Sequence, residues 1–430
     1  MTVSPRLGGR PRVRTAAYST TYEPPRRTAG GKEKRSVVEV REKTLVVDGA
    51  RTPVGSFGGV LKDVPAHELG AVAAREALRR AGVDGADVDE VVMGCIGQVG
   101  PDAYNARRVA LAAGLPERVP AYTVNRLCGS GLQAVWSAAM QMRWGGVDIA
   151  VAGGDESMSR MPFYDFGARS GYRLGDRTLV DGTVMMLTDP FHNIHMGRTA
   201  EAVARKYDVS RQAQDEFALE SQRRAATEQA RAAFAEEITP VEVGGRKPQL
   251  VETDEHPRPD TTLEGLARLR PAFEAGGTVT AGNASGINDG AAALVLARES
   301  VAAKRGLRGL VSLEAVATAA MEPELMGYSP VLALRRLFEQ TGTTPGDIDV
   351  VELNEAFAAQ AVAVIRDAGL DPEKTNPYGG AIALGHPVGA TGAILTLRVA
   401  KHLVRHDLEL GVVTMCIGGG QALAALFRRV

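Results

Sequence analysis

The second half of the chain repeats part of the first half at a constant spacing of 260 residues. Residues 82–94 read GVDGADVDEVVMG, and residues 342–354 read GTTPGDIDVVELN. Four residues recur at this spacing: Gly82, Asp87, Asp89 and Val91 in the first segment and Gly342, Asp347, Asp349 and Val351 in the second. Such self-similarity predicts that one structural unit occurs twice. The chain is therefore expected to fold into two related halves.

The same order of features continues beyond the repeated segments. Cys128 opens a Gly-rich helix start, CGSG, and His386 opens another, HPVGATG, 258 residues later. The apolar run that enters Gly153-Gly154 corresponds in the same way to Val412–Met415, which enters CIGGGQ. If the two copies pack about a pseudo-twofold axis, equivalent helix starts converge on one pocket.

Short apolar runs alternate with amphipathic stretches from Thr44 onward. The patterns predict strands at Leu45–Val47, Glu90–Met93 and Ile149–Ala152, and helices at Glu68–Arg80 and Ser130–Arg143. Aromatic residues make up only 5% of the chain, so the core has to be built from Ala, Val, Leu and Ile. These features are typical of an α/β fold with a largely parallel sheet.

The repeat also predicts the domain organisation. Residues 44–160 plus 280–300 form the first copy, and residues 301–430 form the second. Residues 161–279 belong to neither copy and contain a polar helical run, Thr199–Ala235. We interpret them as a large insertion that forms a lid or a substrate-binding wall.

The first 43 residues differ in composition from the rest. Residues 1–43 hold eleven Lys/Arg against four Asp/Glu, four prolines and no apolar period. This composition predicts a disordered basic N-terminal extension, because too little apolar surface is available to offset ordering. The alternatives are an organelle transit peptide within Met1–Tyr22 and a start codon placed too far upstream.

Charge and cysteine content narrow the functional class. The formal net charge is −1, so no overall field would recruit nucleic acid or an anionic membrane. No uninterrupted apolar run approaches the roughly 20 residues that span a bilayer. The three cysteines are far apart and odd in number, which argues against a disulfide framework and for a reducing, cytoplasmic compartment.

Cys128 is the strongest candidate nucleophile. It follows the apolar strand Ala121–Val124 and precedes a helix, whose unpaired N–H groups and positive dipole end favour a thiolate. Asn354 ends another apolar strand, His386 lies in a Gly/Pro turn, and Cys416 opens a triple-glycine turn that exposes backbone N–H groups. A second cysteine beside a Cys–His pair could act as acid or base. We expect these four side chains to line one pocket at the carboxyl ends of strands.

Seven segments resemble, in the same order, the motifs of the thiolase family: NRLCGSG (125–131), GGDESMS (153–159), HMGRTAE (195–201), AGNASGINDGAAA (281–293), NEAFAAQA (354–361), NPYGGAIALGHPVGATGA (376–393) and CIGGGQ (416–421). The resemblance covers about residues 44–430 and implies the family's duplicated five-layered α/β/α/β/α fold. Asp155 departs from the family pattern, in which an apolar residue usually follows the double glycine.

The resemblance also implies a role for each site residue. Cys128 matches the nucleophile that becomes acylated, and His386 matches the histidine that activates it and helps to hold the thioester oxygen. Asn354 matches the asparagine that positions a water in the same oxyanion hole. Cys416 matches the cysteine that protonates the leaving group or deprotonates the second acyl-CoA. The backbone N–H groups of Cys128 and Gly418 resemble a second oxyanion hole.

Further residues resemble the family's substrate-binding set: His195 and Met196 for pantetheine, Arg258 and Ser285 for CoA, and Ala356 and Phe357, which complete the NEAF motif. The implied partners are acyl-CoA and CoA. No metal or organic cofactor is implied, because a thioester has acidified α-hydrogens and a good leaving group. Relatives of this type are usually homodimers or homotetramers.

The resemblance implies an acetyl-CoA C-acetyltransferase, which joins two acetyl-CoA molecules into acetoacetyl-CoA and CoA by a reversible ping-pong reaction through an acyl-cysteine. A 3-ketoacyl-CoA thiolase of fatty-acid β-oxidation, acting on longer chains, is the alternative within the family.

The sequence motifs also bear on four rival interpretations. A ketoacyl synthase or chalcone-synthase-like enzyme is disfavoured by the second cysteine in CIGGG and by NEAF, and a sterol-carrier-type thiolase by NEAF in place of HDCF. His192-x-x-His195 could suggest a metal hydrolase, but it lacks a Glu between the histidines and a third ligand. A non-catalytic lipid or CoA-binding scaffold is disfavoured because all four reactive positions are intact.

Overall fold

The computed structural model describes residues 42–98, 100–244 and 248–430, so the predicted extension lies outside the described part except for Glu42 and Lys43. Its strands, in chain order, are β1 (Thr44–Arg51), β2 (Gly55–Ser56), β3 (Glu90–Gly94), β4 (Ala121–Val124), β5 (Ile149–Ser157), β6 (Phe163–Tyr164), β7 (Val180–Asp181), β8 (Thr188–Asp189), β9 (Ile194–His195), β10 (Val241–Val243), β11 (Gln249–Val251), β12 (Asn288–Arg298), β13 (Val311–Ala320), β14 (Val350–Leu353), β15 (Leu410–Ile417) and β16 (Gln421–Arg429). Its α-helices are α1 (Ala66–Ala81), α2 (Asn105–Ala112), α3 (Ser130–Trp144), α4 (Gly182–Met186), α5 (Met196–Lys206), α6 (Arg211–Ala225), α7 (Glu228–Glu237), α8 (Leu263–Ala267), α9 (Glu299–Arg305), α10 (Ser329–Thr341), α11 (Ala358–Asp367), α12 (Ala381–Leu384) and α13 (Thr391–Arg405). The predicted strands and helices of the first copy are all present: Ala121–Val124 has its predicted bounds, and the others are longer than their sequence patterns indicated. Among the described residues, no helix has the length and apolar character needed to cross a bilayer.

Ten strands form one sheet in the order β14-β15-β16-β13-β1-β12-β5-β3-β4, with β2 paired to β12. Outward from the central pair, β1-β12-β5-β3 on one side mirrors β13-β16-β15-β14 on the other. Strand directions match too: β3–β5 and β14–β15 are parallel, whereas the pairs that involve β12 or β16 are antiparallel. The predicted α/β class and the duplication are confirmed. The prediction of a largely parallel sheet was wrong, because β12 and β16 run against their neighbours.

Alternate side chains of each half-sheet enter different hydrophobic layers. In β12, Ala292, Leu294 and Leu296 face a central cluster with α3 and α13, whereas Ala291, Ala293 and Val295 face an outer cluster with α1 and α2. Strands of the second copy face the same central cluster on one side and α10 and α11 on the other. The layers are therefore helix, sheet, helix, sheet, helix, and α3 and α13 lie buried in the middle one.

The repeated residues have equivalent structural roles in both copies. Asp89 Oδ2 accepts hydrogen bonds from the backbone N–H groups of Asp148 and Ile149, at 2.8 and 3.0 Å. Asp349 Oδ2 accepts from the two backbone N–H groups at the start of β15, both at 2.9 Å. Gly82 and Gly342 end helices α1 and α10 with φ of 66° and 70°, a left-handed conformation that glycine adopts without strain. The repeat thus preserves the residues that start strands and end helices.

The predicted polar helical run of the insertion is divided into three helices, α5, α6 and α7. Asp208 has a φ of 52° between the first two, and Ser210 then caps α6 through a 3.1 Å bond from Ala213 N–H to its Oγ. Thr227 caps α7 in the same way, with Ala230 N–H 3.1 Å from its Oγ1. Helix α5 packs on α11, and α6 packs on α11 and α12, so this region contacts helices of the second copy.

A buried network of charges connects the insertion to both copies. Arg51 at the end of β1 donates to Glu237 of α7 (Nε–Oε2, 2.7 Å) and bonds both oxygens of Asp254 (2.7 and 2.9 Å). Glu237 also faces Arg398 of α13, with Oε1 3.4 Å from Nε, and Arg398 Nη1 lies 3.6 Å from Glu352 of β14. Because these side chains are buried, loss of the Glu237 carboxylate leaves Arg51 with Asp254 alone and Arg398 with Glu352 alone, and burial raises the pKa of Glu352 to about 8, so the charge of Arg398 is poorly compensated.

Replacing Glu237 with Gln should destabilise the protein by about 3 kcal/mol, because Arg51 and Arg398 would keep their charges without a shared carboxylate. The measurement is the midpoint of urea unfolding. The matched control is Asp63→Asn, which removes an exposed ion pair with Lys62 and should change stability by no more than about 0.5 kcal/mol. Equal midpoints for the two variants would contradict a stabilising role of the network.

Candidate active site

A tight turn between β4 and α3 presents Cys128. Leu127, directly before it, has a φ of 47°, in the left-handed region that costs a residue with a side chain roughly 1–2 kcal/mol. Ser130 stabilises this turn: its Oγ donates to Leu127 O at 2.6 Å and accepts from Arg126 N–H at 2.9 Å. The side chain of Cys128 therefore projects from a sharp corner that local hydrogen bonds hold in place.

The sulfur of Cys128 lies beside the glycine turn that follows β15. The backbone N–H groups of Gly418 and of Cys128 itself point at this sulfur and favour its thiolate. Cys416 is close enough for a charge on Cys128 to raise its pKa. The structure thus brings together Cys128, Cys416 and Gly418.

Burial governs the acidity of the thiols. Although Cys128 is partly accessible, desolvation raises its pKa to about 11. The two N–H groups lower the pKa, but by less, and the Glu156 carboxylate raises it further. Desolvation, followed by the nearby Cys128, also raises the pKa of Cys416. The two N–H groups favour the thiolate, but the surrounding protein removes more stabilising water than they replace, so the thiol form is favoured. A base is needed to ionise Cys128.

His386 is buried in the loop between α12 and α13, and its ring has a defined tautomer. Nδ1 lies 2.6 Å from Thr391 Oγ1, which itself donates to Pro387 O at 2.9 Å. Because a hydroxyl has one proton, Thr391 accepts from Nδ1–H, and Nε2 keeps its lone pair. Desolvation lowers the pKa of His386 to about 4, so the neutral ring is the resting form. Its Nε2 can therefore accept a proton.

Asn354 joins this imidazole to the strand that carries Cys416. Its Nδ2 lies 3.4 Å from His386 Nε2. Its backbone N–H donates to Thr414 O of β15 at 3.0 Å, two residues before Cys416. In the described part of the chain, Asn354 Oδ1 is buried without a hydrogen-bond partner. Asn354 thus contacts His386 and adjoins the Cys416 strand.

The halves of the site meet because α3 and α13 touch at their first turns. A Cβ on Gly131 would lie 2.7 Å from Ala393 N, and one on Gly392 would lie 2.2 Å from Leu132 N. No side chain separates the helices there. Cys128 and His386, which precede these helices in the two copies, consequently lie at the same end of the helix pair.

The predicted substrate residues fall into two groups. Met196, Ala356 and Phe357 belong to the apolar cluster that contains Cys416, and the ring of Phe273 in this cluster stacks on His195 with centroids 4.9 Å apart. Ser285 adjoins the cluster through a 3.0 Å bond from its N–H to Ala356 O.

Arg258 lies apart from this group. It is exposed on the insertion, and its N–H donates to Gln222 Oε1 of α6 at 2.8 Å. Its role in binding CoA stays a prediction.

His192 and His195 have separate roles. His192 Nδ1 lies 2.9 Å from Asp189 Oδ2, whereas His195 Nδ1 accepts from Gly197 N–H at 3.1 Å and caps α5. No three His, Cys, Asp or Glu side chains of the described residues are grouped so that they could hold a metal ion. These contacts do not favour the metal-hydrolase interpretation.

Sequence reasoning missed several residues that hold the His386 loop. Asn288 Oδ1 accepts from His386 N–H at 2.9 Å, and its Nδ2 donates to Gly55 O at 3.0 Å. Glu355 accepts from Ile382 N–H at 3.2 Å and from Ser221 Oγ at 2.7 Å. Asn288 lies in the motif INDGAAA and Glu355 in NEAF. A polar residue within a run of otherwise buried residues was the sequence signal that could have identified them.

Comparisons with known proteins agree with this geometry. The family model "Thiolase, N-terminal domain" matches residues 44–300, and "Thiolase, C-terminal domain" matches residues 307–429. The beta-ketothiolase BktB of Cupriavidus necator is 51% identical over 391 residues, which are 90% of this chain and 99% of that protein. An acetyl-CoA acetyltransferase of the same organism is 46% identical over 388 residues, with coverages of 90% and 99%.

Solved structures show the same fold. The acetyl-CoA acetyltransferase of Bacillus anthracis superposes with a TM-score of 0.89 at 42% identity, over 91% of this chain and 99% of that one. The human mitochondrial 3-ketoacyl-CoA thiolase in complex with CoA gives a TM-score of 0.87 at 41% identity, with coverages of 90% and 98%. With both family models matched and these relatives aligned over nearly the whole of their length, the chain belongs to the thiolase family.

Proposed function

We propose that the chain is an acetyl-CoA C-acetyltransferase, which condenses two acetyl-CoA molecules to acetoacetyl-CoA and CoA and also catalyses the reverse cleavage. The observation that carries the proposal is the pairing of two thiols, the partly accessible Cys128 and the buried Cys416, at a site with backbone N–H donors and an imidazole that can accept a proton. The names of the two Cupriavidus necator relatives support the same activity.

The first half of the reaction acylates Cys128. Its proton passes to His386 Nε2, and the sulfur attacks the thioester carbonyl of acetyl-CoA. The N–H groups of Cys128 and Gly418 stabilise the negative charge that develops on the carbonyl oxygen, and each such donor is typically worth about 3 kcal/mol in the transition state. The bond between the carbonyl carbon and the CoA sulfur then breaks, and the departing CoA takes the proton of the Cys416 thiol, which becomes a thiolate.

The second half forms the carbon–carbon bond. The thiolate of Cys416 removes an α-proton from a second acetyl-CoA, whose enolate oxygen faces His386 and a water positioned by Asn354. The enolate carbon attacks the acyl group on Cys128, and the bond to the sulfur breaks. Acetoacetyl-CoA leaves, and the Cys128 thiolate recovers its proton from His386. The CoA thioesters supply the reactive groups, and residues of the chain carry the protons.

The substrate enters beside the insertion. Met196 and Phe357 share an apolar cluster with Cys416, which suits the pantetheine arm and a short acyl group. Ser285 and His195 border this cluster, and Arg258 lies on the exposed surface of the insertion, where a CoA phosphate remains in water. The runner-up function, a 3-ketoacyl-CoA thiolase for longer chains, is supported by the similarity to the human mitochondrial enzyme.

The active form is a homodimer or homotetramer in the cytoplasm. The insertion carries large apolar side chains that are mostly exposed, among them Phe163, Phe166, Leu174 and Leu179, and such a patch favours contact with another subunit. The three cysteines are unpaired, as in proteins of reducing compartments.

The proposed function is tested by kcat/KM for thiolysis of acetoacetyl-CoA and of longer 3-ketoacyl-CoA substrates. The highest value is expected for acetoacetyl-CoA, and Cys128→Ala should abolish turnover without lowering the unfolding midpoint, because only the nucleophile is lost. A preference for long chains would favour the runner-up. Turnover retained by Cys128→Ala would contradict the covalent mechanism.

Cys416→Ser should separate the two half-reactions. Its hydroxyl is a far weaker acid than a thiol, so condensation should fall more steeply than acetylation of Cys128, which can be followed by mass spectrometry after mixing with acetyl-CoA. Equal losses in both steps would contradict the separate roles of the two cysteines.

The raised pKa of Cys128 predicts the pH profile of its alkylation by iodoacetamide. A pKa of about 11 means that the neutral thiol dominates at pH 7, so the rate should rise roughly tenfold per pH unit from 7 to 9 without levelling off. A small free thiol serves as control, and its rate should begin to level off as the pH approaches its own pKa of about 8.5. A plateau for Cys128 between pH 6 and 8 would instead indicate that His386 already holds its proton at rest.

A further inference from the structure

The carboxylate of Glu156 accepts hydrogen bonds from backbone segments of both copies. Glu156 lies near the end of β5 and is fully buried. It accepts from the N–H groups of Ile96 at 3.1 Å and Gly97 at 2.8 Å, both in the loop after β3 of the first copy. It also accepts from Gly389 N–H at 3.0 Å, in the loop between His386 and α13 of the second copy. One side chain therefore joins two remote loops.

The His386 loop is pressed against this carboxylate. A Cβ on Gly389 would lie 2.7 Å from Glu156 Oε2, and a Cβ on Gly154 would lie 2.0 Å from Gly389 O. Both distances are shorter than a real Cβ contact, so the loop cannot approach β5 more closely, and the hydrogen bond keeps it from moving away. Its backbone position is fixed from both directions.

Two further contacts lie on either side of Gly389. His386 N–H is held by Asn288, and the ring Nδ1 is held by Thr391, so the imidazole depends on the backbone course of residues 386–391. Glu156 bonds Gly389, which lies in the middle of residues 386–391. Its charge is also near enough to raise the pKa of Cys128, which places the carboxylate on the nucleophile's side of the loop.

We propose that Glu156 is a positioning residue of the thiolase reaction: its carboxylate fixes residues 386–391 and thereby the direction of the His386 imidazole relative to Cys128. The role rests on the proposed function, in which His386 takes the proton of Cys128. Glu156 itself does not contact the reacting atoms.

Glu156→Gln tests the proposal. The amide nitrogen of Gln cannot accept from an N–H group: in the place of Oε2 it leaves Ile96 and Gly389 without this acceptor, and in the place of Oε1 it leaves Gly97 without one. We expect kcat for thiolysis to fall between about tenfold and 100-fold, the range that a displacement of about 1 Å produces, with a much smaller change in KM. At about pH 8, alkylation of Cys128 by iodoacetamide should become faster, because a neighbouring negative charge has gone. A general loss of structure would also speed alkylation, because it would expose the desolvated thiol of Cys128, so the urea unfolding midpoint of the variant has to match that of the parent.

Asp155→Asn is the matched control. Asp155 is the adjacent buried carboxyl on the same strand, but it bonds Asn105 Nδ2 at 2.6 Å and faces Gly70 of α1 instead of the His386 loop. This variant should keep the parent kcat. A second test is Gly389→Ala, whose methyl group would push the loop off Glu156 without removing charge. It should lower kcat in the same way and leave the alkylation rate unchanged.

The proposal is overturned if folded Glu156→Gln keeps the parent kcat, or if Asp155→Asn loses as much. If Glu156→Gln does not fold, Gly389→Ala decides, and the parent kcat in that variant would overturn the proposal. Alkylation of Cys128 needs no acyl-CoA, so a failure of the proposed function and a failure of the role proposed for Glu156 can be told apart. A parent protein without thiolysis would contradict the proposed function, whereas unchanged alkylation in Glu156→Gln would contradict the placement of Glu156 beside Cys128.

Discussion

The close contact between the first turns of α3 and α13 is the constraint on which the active site depends. A Cβ on Gly131 or Gly392 would lie 2.7 or 2.2 Å from backbone nitrogen of the other helix, whereas non-bonded heavy atoms settle at roughly 3.5–4.0 Å. Any side chain at these positions would push the helix starts apart by about 1 Å or more. Since one helix follows Cys128 and the other follows His386, the same displacement would separate the proposed nucleophile from its proposed base. Gly131 and Gly392 therefore let residues from the two copies lie close enough together to form one site.

The sequence contained enough information for the architecture. The repeat predicted two copies, and the positions that it preserves, such as Asp89 and Asp349, are the ones that start equivalent strands. The prediction of mostly parallel strands was wrong, because the direction of a strand depends on how the chain connects it to its neighbour. The turn Gly418–Gly420 returns the chain directly from β15 to β16, which makes that pair antiparallel. The insertion was foreseen as one polar helical stretch, although Ser210 and Thr227 are ordinary helix-capping residues and mark its breaks.

The sequence predicted the reactive side chains of the site but not the residues that hold them in place. His386 is held by Asn288, 98 residues away, and its loop by Glu156, 233 residues away from Gly389. Local patterns cannot indicate such contacts, because a buried polar residue has its partner chosen by the tertiary fold. The same limit applies to the acidity of Cys128. The helix start, a local feature, predicted a thiolate, but burial acts through the whole surrounding structure and has the larger effect on the pKa.

Raised thiol pKa values suit the chemistry better than a preformed thiolate would. A thiolate whose parent thiol has a higher pKa is intrinsically more nucleophilic, with a Brønsted slope of about 0.4–0.5, so burial offsets part of what it costs in thiolate concentration. Cys416 has the harder task, since the α-hydrogen of a thioester is a weak acid and needs a strong base. Desolvation, and then the charge of Cys128, raise the pKa of Cys416 and so make its thiolate more basic. The neutral His386 completes this arrangement, because a ring whose pKa is lowered to about 4 gives up readily the proton that it takes from Cys128. Burial of all three groups therefore keeps the resting site uncharged and makes each ionised form reactive when substrate is bound.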